Sequence, residues 1–458
     1  MPIRIEGPLM KFGSNLTEGP ITKKFIYFIV PIILSGFLQQ LYSTADTMVV
    51  GRFAGDTALA AVGSTVALTN LILNLFIGLS VGANVVCARH FGAGDKKSLH
   101  DAIHTSVSLA IISGFLLAAV GFFFSGTFLR LMSTPDDVIG HATIYMQVYF
   151  LGAPASLLYN FGAAILRAAG DTKRPLYILA FSGIANVALN LFCVIVLNLG
   201  VIGVAIGTIA SQVISAIAVI TILLKSKNEF CLKASHIRIH KSQLLKIAAT
   251  GIPSGLNGCM FSLSNVIIQT AINSFGKIAI AGNVVASNLE IFGFLLLSSV
   301  EQGVVTFVGQ NMGAGKFKRI DSVTTVAMCC AFVGAGAFAF LMILFGRPLL
   351  GLFADDASRE VVVSAAMLKM SIVIYSYIIH VPNQVLGGVM KGMGRAVISM
   401  FINVICICLL RVAWVLWAFT QHPTHQMVYY SYPLTWGSSS IVAMIVYYFV
   451  RKKIFKKG

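Results

Sequence analysis

The chain has 458 residues, of which 57% are hydrophobic and only 11% are charged, and its mean hydropathy is +0.86. Soluble domains carry about 25% charged residues, so this composition excludes an ordinary water-soluble globular protein. The formal net charge of +17 would suggest a nucleic-acid partner in a soluble chain, but the distribution of the charge along this chain indicates a different role for it.

Apolar runs long enough to cross a bilayer follow one another along the chain, since about 20 helical residues span the hydrocarbon core. The first twenty residues are polar and lack the apolar segment of a signal peptide, so we expect the first span to act as its own insertion signal. We predict twelve membrane-spanning helices, at 24–50, 57–88, 99–125, 138–166, 175–198, 200–224, 245–273, 279–310, 322–346, 361–390, 396–419 and 427–450.

Lysine and arginine are concentrated in alternate connecting segments. If the N-terminus is cytosolic, most basic residues outside the spans lie inside, and the outer segments hold only Arg52, Arg130, Lys277, Arg347 and Arg359. This is the positive-inside bias of membrane proteins. It predicts a multi-pass protein of the inner (cytoplasmic) membrane with both termini in the cytosol. Because membrane topology explains the basic residues, we expect no nucleic-acid partner.

Three motifs occur twice in the same order, about 222 positions apart. Pro31 is matched by Pro253, the loop at 92–96 by the loop at 313–316, and the segment 167–170 by the segment 391–394. An internal duplication of this kind is typical of secondary transporters. Because each half holds an even number of spans, the halves should have parallel orientation, with the substrate between them.

The predicted fold class is therefore all-α integral membrane, with twelve helices in two six-helix lobes related by a pseudo-two-fold axis along the membrane normal. We assign residues 1–23 to a cytosolic tail, 24–224 to an N-lobe of spans 1–6 and 225–244 to a cytosolic linker. The C-lobe of spans 7–12 follows at 245–450, and a basic cytosolic tail at 451–458.

Three acidic residues fall within spans: Asp46, Glu290 and Glu301. A charged side chain in the middle of a bilayer costs roughly 2.5–3.5 kcal/mol, so such residues are functional candidates. Gln39, Tyr42 and Asp46 are spaced three and four apart and share one helix face. The alternative for Asp46 is simple solvation near the outer mouth of its span.

Glu290 and Glu301 are eleven residues apart, which places them on one face of their helix. They could attract a cationic substrate or carry a second proton. The alternatives are hydrogen bonding between helices, or a counter-charge for a buried base such as Arg411 or Lys369.

Asn186, Asn190 and Thr208 are uncharged polar residues within spans. They could hold Na⁺ through oxygen ligands or orient Asp46 for proton transfer, and the alternative is hydrogen bonding between packed helices. His100 and His104 have a spacing that can bind metal, but no third ligand is in reach, so we interpret them as a solvated helix end. We predict no metal site and no catalytic residues, because the chain lacks the common metal and catalytic motifs.

Several longer strings join the repeat: Gln39–Met48 followed by Gly51-Arg52, the loop at 92–96, Arg167–Lys173 and Gly309–Gly315. Together they resemble the MATE family of multidrug and toxic compound extrusion transporters, including its bacterial MepA-like branch. The resemblance covers essentially the whole chain.

The resemblance implies a V-shaped two-lobe fold and cation-coupled export of organic, often cationic, drugs. It implies a coupling carboxylate at Asp46, with Asn186 and Thr208 as polar partners. Asn190 stands where some members have a second carboxylate, a departure that weakens a two-carboxylate sodium site. The resulting coupling set is Asp46, Asn186, Asn190 and Thr208, and the substrate set is Gln39, Tyr42, Glu290 and Glu301.

The sequence thus predicts a secondary active efflux transporter rather than an enzyme. We expect a monomer that is embedded in membrane lipid and transports small-molecule drugs. We expect no cofactor beyond the coupling ion, H⁺ or Na⁺. The alternative is a flippase for a lipid-linked or polysaccharide substrate, but that function needs a cationic cavity for phosphates, and acids within spans outnumber bases.

Overall fold

The computed structural model describes residues 14–53, 56–132, 134–353 and 359–455, and within these ranges the chain is helical, without a β-strand. The helices of the first half are α1 (Ile21–Phe53), α2 (Asp56–Gly92), α3 (Lys96–Leu131), α4 (Asp136–Leu151), α5 (Ala153–Ala168), α6 (Lys173–Leu191) and α7 (Gly200–Leu224). Those of the second half are α8 (Lys241–Asn273), α9 (Lys277–Gly313), α10 (Phe317–Gly351), α11 (Arg359–Gly392), α12 (Ala396–Asn403), α13 (Leu410–Trp414), α14 (His425–Tyr429) and α15 (Ser431–Phe455).

The helices account for all twelve predicted spans. Among the described residues, ten helical stretches are long and apolar enough to cross a membrane, and the bent pair of α4 and α5 makes an eleventh. Helix α8 covers the remaining predicted span with 33 residues but is less apolar than the others. Large apolar side chains such as Phe123, Phe181 and Leu416 are exposed, as expected where lipid rather than water is the solvent.

The bend between α4 and α5 is 45° and has a local cause. Pro154 lies in the first turn of α5, where it cannot donate the helical hydrogen bond and its ring crowds the preceding turn. Gly114 of α3 lets this turn approach closely, because a Cβ at residue 114 would lie 2.5 Å from Pro154 Cα. The bend is thus accommodated by a glycine on the neighbouring helix.

Two spans contain π-helical turns instead of continuous α-helix. One such turn, Phe192–Val196, follows α6, and two others, Val404–Leu409 and Val415–Phe419, flank α13. These turns occur in the fifth and eleventh spans, which occupy corresponding positions of the repeat. Turns of this kind are frequent at functional sites.

The chain forms two compact units. The first comprises Met1–Ile252 with Gly309–Ala314, and the second comprises Pro253–Val308 with Gly315–Gly458. The core of the first unit includes Ile103, Phe161 and Val219, all fully buried or nearly so, and a smaller core in the second includes Leu386 and Met390.

Glycine closes the same kind of turn at four repeated places. Gly94, Gly170, Gly315 and Gly394 have φ between 67° and 82°, a left-handed conformation that ends a helix and that L side chains rarely adopt. In the first half the next residue is an aspartate that binds amides in the first turn of the following helix. Asp95 accepts from the Ser98 amide at 3.0 Å, and Asp171 accepts from the amides of residues 173 and 174, both at 3.1 Å. In the second half, Lys316 and Arg395 stand at the matching positions and supply no such side-chain cap.

Candidate functional site

A cavity of about 330 Å³ lies within the first unit, among α1, α2, α4, α5, α6 and α7. Hydroxyl and amide side chains dominate its lining, and Asp46 is the one charged residue among the described lining residues. Gln39 and Tyr42, predicted to share a helix face with Asp46, line the same cavity. The cavity is therefore a polar chamber with a single carboxylate.

The predicted coupling residues lie together around this carboxylate. Asn190 donates through Nδ2 to Asp46 Oδ1 at 2.5 Å, and Asn186 Nδ2 lies 3.5 Å from Thr208 Oγ1. Asn190 is fully buried and Asn186 is 4% exposed. The structure thus brings residues from α1, α6 and α7 into one cluster.

The two asparagines leave acceptor oxygens without protein partners. Oδ1 of Asn186 and Oδ1 of Asn190 are both buried and receive no hydrogen bond from a described residue. Buried polar atoms are normally hydrogen-bonded, and exceptions require an explanation. Asn190 turns its Nδ2 toward Asp46 and its Oδ1 toward Gly207, while the Asn186 oxygen and the Thr208 hydroxyl are acceptors of the kind that binds a small cation or an ordered water.

Glycines on α6 and α7 make the cluster possible. A Cβ at Gly207 would overlap Asn190 Oδ1, and a Cβ at Gly183 would overlap the ring of Tyr42. The Tyr42 hydroxyl donates to the Ala180 carbonyl at 3.2 Å, which fixes its ring on α6. Both glycines therefore act by leaving room for a polar side chain of the chamber.

Sequence reasoning missed part of the chamber wall. Tyr145 and Tyr149 of α4 and Gln212 of α7 line the cavity. A signal was present: Thr208, Ser211, Gln212 and Ser215 recur at helical spacing within an otherwise apolar run, and all four face the chamber.

Glu290 lies in the second unit and forms an ion pair. Its Oε2 is 2.6 Å from Lys369 Nζ, which also donates to Ser287 Oγ at 2.8 Å. Lys369 is 2% exposed. Tyr377 donates to the Glu290 carbonyl at 3.0 Å. Of the two bases that the sequence offers as a counter-charge, Arg411 and Lys369, it is Lys369 that pairs with Glu290.

Glu301 is paired as well, with Lys391 in the last turn of α11, one residue beyond the predicted tenth span. Lys391 Nζ lies 2.5 Å from Glu301 Oε1, and Gln384 donates to Oε2 at 2.8 Å. Arg411, the other expected base, is fully buried. It donates to Asn265 at 3.2 Å and lies over the Tyr432 ring at 4.6 Å.

The expectation that His100 and His104 have no third ligand in reach is wrong. His236, in a short 3₁₀ turn at Ala234–His236, joins them, and the ligand atoms of all three lie within 4.8 Å of one another. His104 is fully buried rather than solvated. The reason is that the linker folds back against α3, which periodicity along the chain does not reveal.

Comparison with known proteins gives matches over both halves of the chain. The MatE family model matches residues 31–192 and 253–417. The probable multidrug resistance protein YoeA of Bacillus subtilis is 28% identical over 437 residues, covering 93% of each chain. The multidrug export protein MepA of Staphylococcus saprophyticus is 21% identical and covers 95% of this chain and 96% of its own length.

A solved structure has the same fold. An outward-facing multidrug resistance MATE family transporter superimposes with a TM-score of 0.90 at 21% identity, covering 99% of this chain and 100% of that one. The predicted all-α membrane fold of twelve helices in two lobes is confirmed.

Proposed function

The chain belongs to the MatE family of membrane transporters, and from that premise we propose that it is a secondary active multidrug efflux transporter. It exports small organic compounds, often cationic, in exchange for H⁺ or Na⁺, by alternating access between its two lobes. The names of YoeA and MepA support the substrate class. The observation that carries the coupling mechanism is the single carboxylate, Asp46, in a polar chamber, with the buried Asn190 amide donating to it.

Asp46 is the proposed ion carrier because its charge changes when an ion binds. An isolated carboxylate among uncharged groups is costly within a membrane, so uptake of a proton or Na⁺ is favoured there. Either ion supplies about 2.3 kcal/mol per 100 mV of membrane potential, and a proton supplies about 1.4 kcal/mol more per unit of pH difference. Release of that ion on the cytosolic side leaves the Asp46 carboxylate ionised and free to bind the next ion, which completes the cycle.

The two coupling ions would use the cluster differently. A proton needs only Asp46, with the Asn190 amide orienting the carboxylate. Na⁺ prefers several oxygen ligands, and Asn186, Asn190 and Thr208 can provide them beside Asp46. A single carboxylate with two amides is also compatible with proton transport, and the two ions differ in which imposed gradient drives substrate movement.

The substrate contacts fall into two groups. Gln39 and Tyr42 are proposed to bind substrate in the chamber, where Tyr145 and Tyr149 add aromatic surface suited to organic cations. Glu290 and Glu301 are proposed to bind cationic substrates in the second unit by exchange, the substrate cation taking the place of the paired lysine. We further propose a monomer in the inner membrane, with both termini and the linker in the cytosol.

The test is ethidium transport by the purified protein in proteoliposomes with an imposed proton or sodium gradient. We compare the wild type with Asp46→Asn and with Asp136→Asn, an exposed carboxylate at the start of α4 that serves as the matched control. We expect gradient-driven transport in the wild type and the control, and at least a tenfold loss in Asp46→Asn with unchanged yield of folded protein.

Transport at the wild-type rate in Asp46→Asn would remove Asp46 as the carrier. Transport driven by a proton gradient alone would identify an H⁺ antiporter, and a requirement for Na⁺ would assign the asparagine oxygens as ligands. No ethidium transport under either gradient would contradict multidrug efflux and favour a narrower substrate or a flippase.

A further inference from the structure

Three imidazoles meet where the linker contacts α3, away from the chamber. His100 and His104 are one helical turn apart on α3, and their ring centroids are 3.9 Å apart. His236 of the linker lies 5.4 Å from the His100 ring and 6.1 Å from the His104 ring. Among the described residues, this is the one group of three or more His, Cys, Asp or Glu side chains whose ligand atoms are close enough to share a metal ion.

The hydrogen bonds of His104 fix the form in which it can bind a metal. Its Nδ1 lies 2.7 Å from the His100 carbonyl oxygen, an acceptor, so Nδ1 must carry the proton. Nε2 then offers its lone pair and accepts from the Lys233 amide at 3.0 Å. A metal-binding histidine usually donates from one ring nitrogen to a carbonyl and coordinates through the other. In His104 that other nitrogen, Nε2, lies against the Lys233 backbone, 3.0 Å from its amide nitrogen and 3.2 Å from its carbonyl oxygen, so the amide must be displaced before Nε2 can coordinate.

The spacing of the ligands suits a small tetrahedral ion after a modest adjustment. Zn²⁺ binds imidazole nitrogen at about 2.0–2.1 Å, which places ligand nitrogens about 3.4 Å apart. The ligand atoms here lie within 4.8 Å, and His236 is exposed, so rotation of its ring can close the site. Three histidines leave the fourth position to water, and imidazole ligands favour Zn²⁺, Cu²⁺ and Ni²⁺ over Mg²⁺ or Ca²⁺.

Groups of both charge signs lie around the triad. The Asp101 carboxylate, next to His100, lies 3.4 Å from His240 Nε2, a nitrogen that accepts from Arg238 at 3.1 Å, and Lys233 adds a positive charge from the linker. His240 is tied to α3 through its own amide, which donates to the Thr105 hydroxyl at 3.0 Å. The linker is therefore held against α3 on both sides of His236, and the triad does not depend on a mobile segment.

We propose that His100, His104 and His236 form a binding site for a divalent transition metal ion of the Zn²⁺ type, which fastens the linker to α3. Binding replaces the Lys233 amide on His104 Nε2 by the metal and adds a bond to His236. The ion acts as a reversible clamp on the segment that joins the two halves of the chain, and it is separate from the coupling ion at Asp46.

The site is tested with ZnCl₂ and the full-length protein in detergent, after removal of any affinity tag. Equilibrium dialysis with metal analysis should give one Zn²⁺ per chain. His236→Ala and His100→Ala should each weaken Zn²⁺ binding at least tenfold, while His141→Ala, an exposed histidine of α4, should not change it. His104 is left intact because it is buried and its replacement could disturb folding.

A second measurement reports on the clamp itself. Trypsin cleaves after Lys227, Lys233 and Arg238, which surround His236. Zn²⁺ should slow cleavage of this segment in the wild type and in His141→Ala, but not in His236→Ala, and Mg²⁺ should have no effect in any of them. Zn²⁺ affinity equal in the wild type and His236→Ala, or no Zn²⁺ retained by the wild type, would overturn the proposal.

Discussion

Asn190 can contact Asp46 because residue 207 of the neighbouring helix is a glycine and has no side chain in the way. The Asn190 amide donates to Asp46 at 2.5 Å, and a Cβ at residue 207 would occupy the position of its Oδ1. Protein interiors are packed too densely to absorb such an overlap without movement. Gly207, which has no side chain, therefore determines where Asn190 lies and how it contacts the Asp46 carboxylate.

We expect Gly207→Ala to displace Asn190 and to reduce gradient-driven ethidium transport about tenfold. The control is Gly336→Ala on α10, where an added Cβ meets nothing within 4 Å. That change should leave transport intact and stabilise the helix slightly, since alanine is favoured over glycine in helices by about 1 kcal/mol. Equal transport by the two variants would show that the position of Asn190 is not required.

The pair of Glu290 and Lys369 predicts an asymmetric response to mutation. Glu290→Gln leaves the Lys369 charge buried without its carboxylate, and removal of one partner of a buried pair costs about 3–5 kcal/mol. We expect a large loss of thermal stability in Glu290→Gln, measured by the unfolding midpoint in detergent. The double variant Glu290→Gln/Lys369→Met should recover most of that loss.

The double variant, which should be more stable than Glu290→Gln alone, also distinguishes a structural role of Glu290 from a role in substrate binding. If Glu290 contacts cationic substrates, the double variant should transport ethidium poorly while still transporting a neutral drug. Equal transport of both compounds would restrict Glu290 to a structural role.

At the scale of elements, the starts of α3 and α6 differ from those of their repeats. Asp171 accepts two amide hydrogen bonds at the start of α6 and is 6% exposed. Its counterpart before α12 is Arg395, which is exposed and does not cap. The same turn therefore depends on its side chain in one half only.

We predict that Asp171→Ala lowers stability by about 1 kcal/mol, the usual effect of losing a helix cap. Asp171→Asn should cost less, because its amide oxygen can still accept the same hydrogen bonds. Arg395→Ala should be neutral. Thermal unfolding of the three variants in one detergent tests the ranking, and a loss in Arg395→Ala as large as that in Asp171→Ala would contradict it.

At the scale of the whole molecule, chemical labelling of one cysteine tests the proposed orientation in the membrane, with the linker in the cytosol. Cys231 lies in the linker and is partly exposed. In a variant that retains Cys231 as its single cysteine, a membrane-impermeant maleimide should label inside-out vesicles almost completely and intact cells hardly at all. The reverse labelling would invert the predicted topology.

The sequence predicts the helices well, because the length of an apolar run is sufficient to identify a span. It also groups Gln39, Tyr42 and Asp46 correctly, since residues on one helix share a face through local geometry alone. Contacts between helices are different. The partners Lys391 for Glu301 and His236 for His104 depend on helix rotation and on the path of the linker, which no local pattern specifies.

The four left-handed glycine turns separate two kinds of information in the duplicated chain. Gly94 and Gly170 precede aspartates, whereas Gly315 and Gly394 precede a lysine and an arginine, yet all four have φ in the same left-handed region. Because glycine adopts this conformation without steric cost, the turn does not depend on the next residue, which can carry either sign of charge. The left-handed backbone connects the helices in the same way in both halves. The lysine and arginine of the second half belong to the residue types that set orientation during membrane insertion, whereas aspartates contribute little to it.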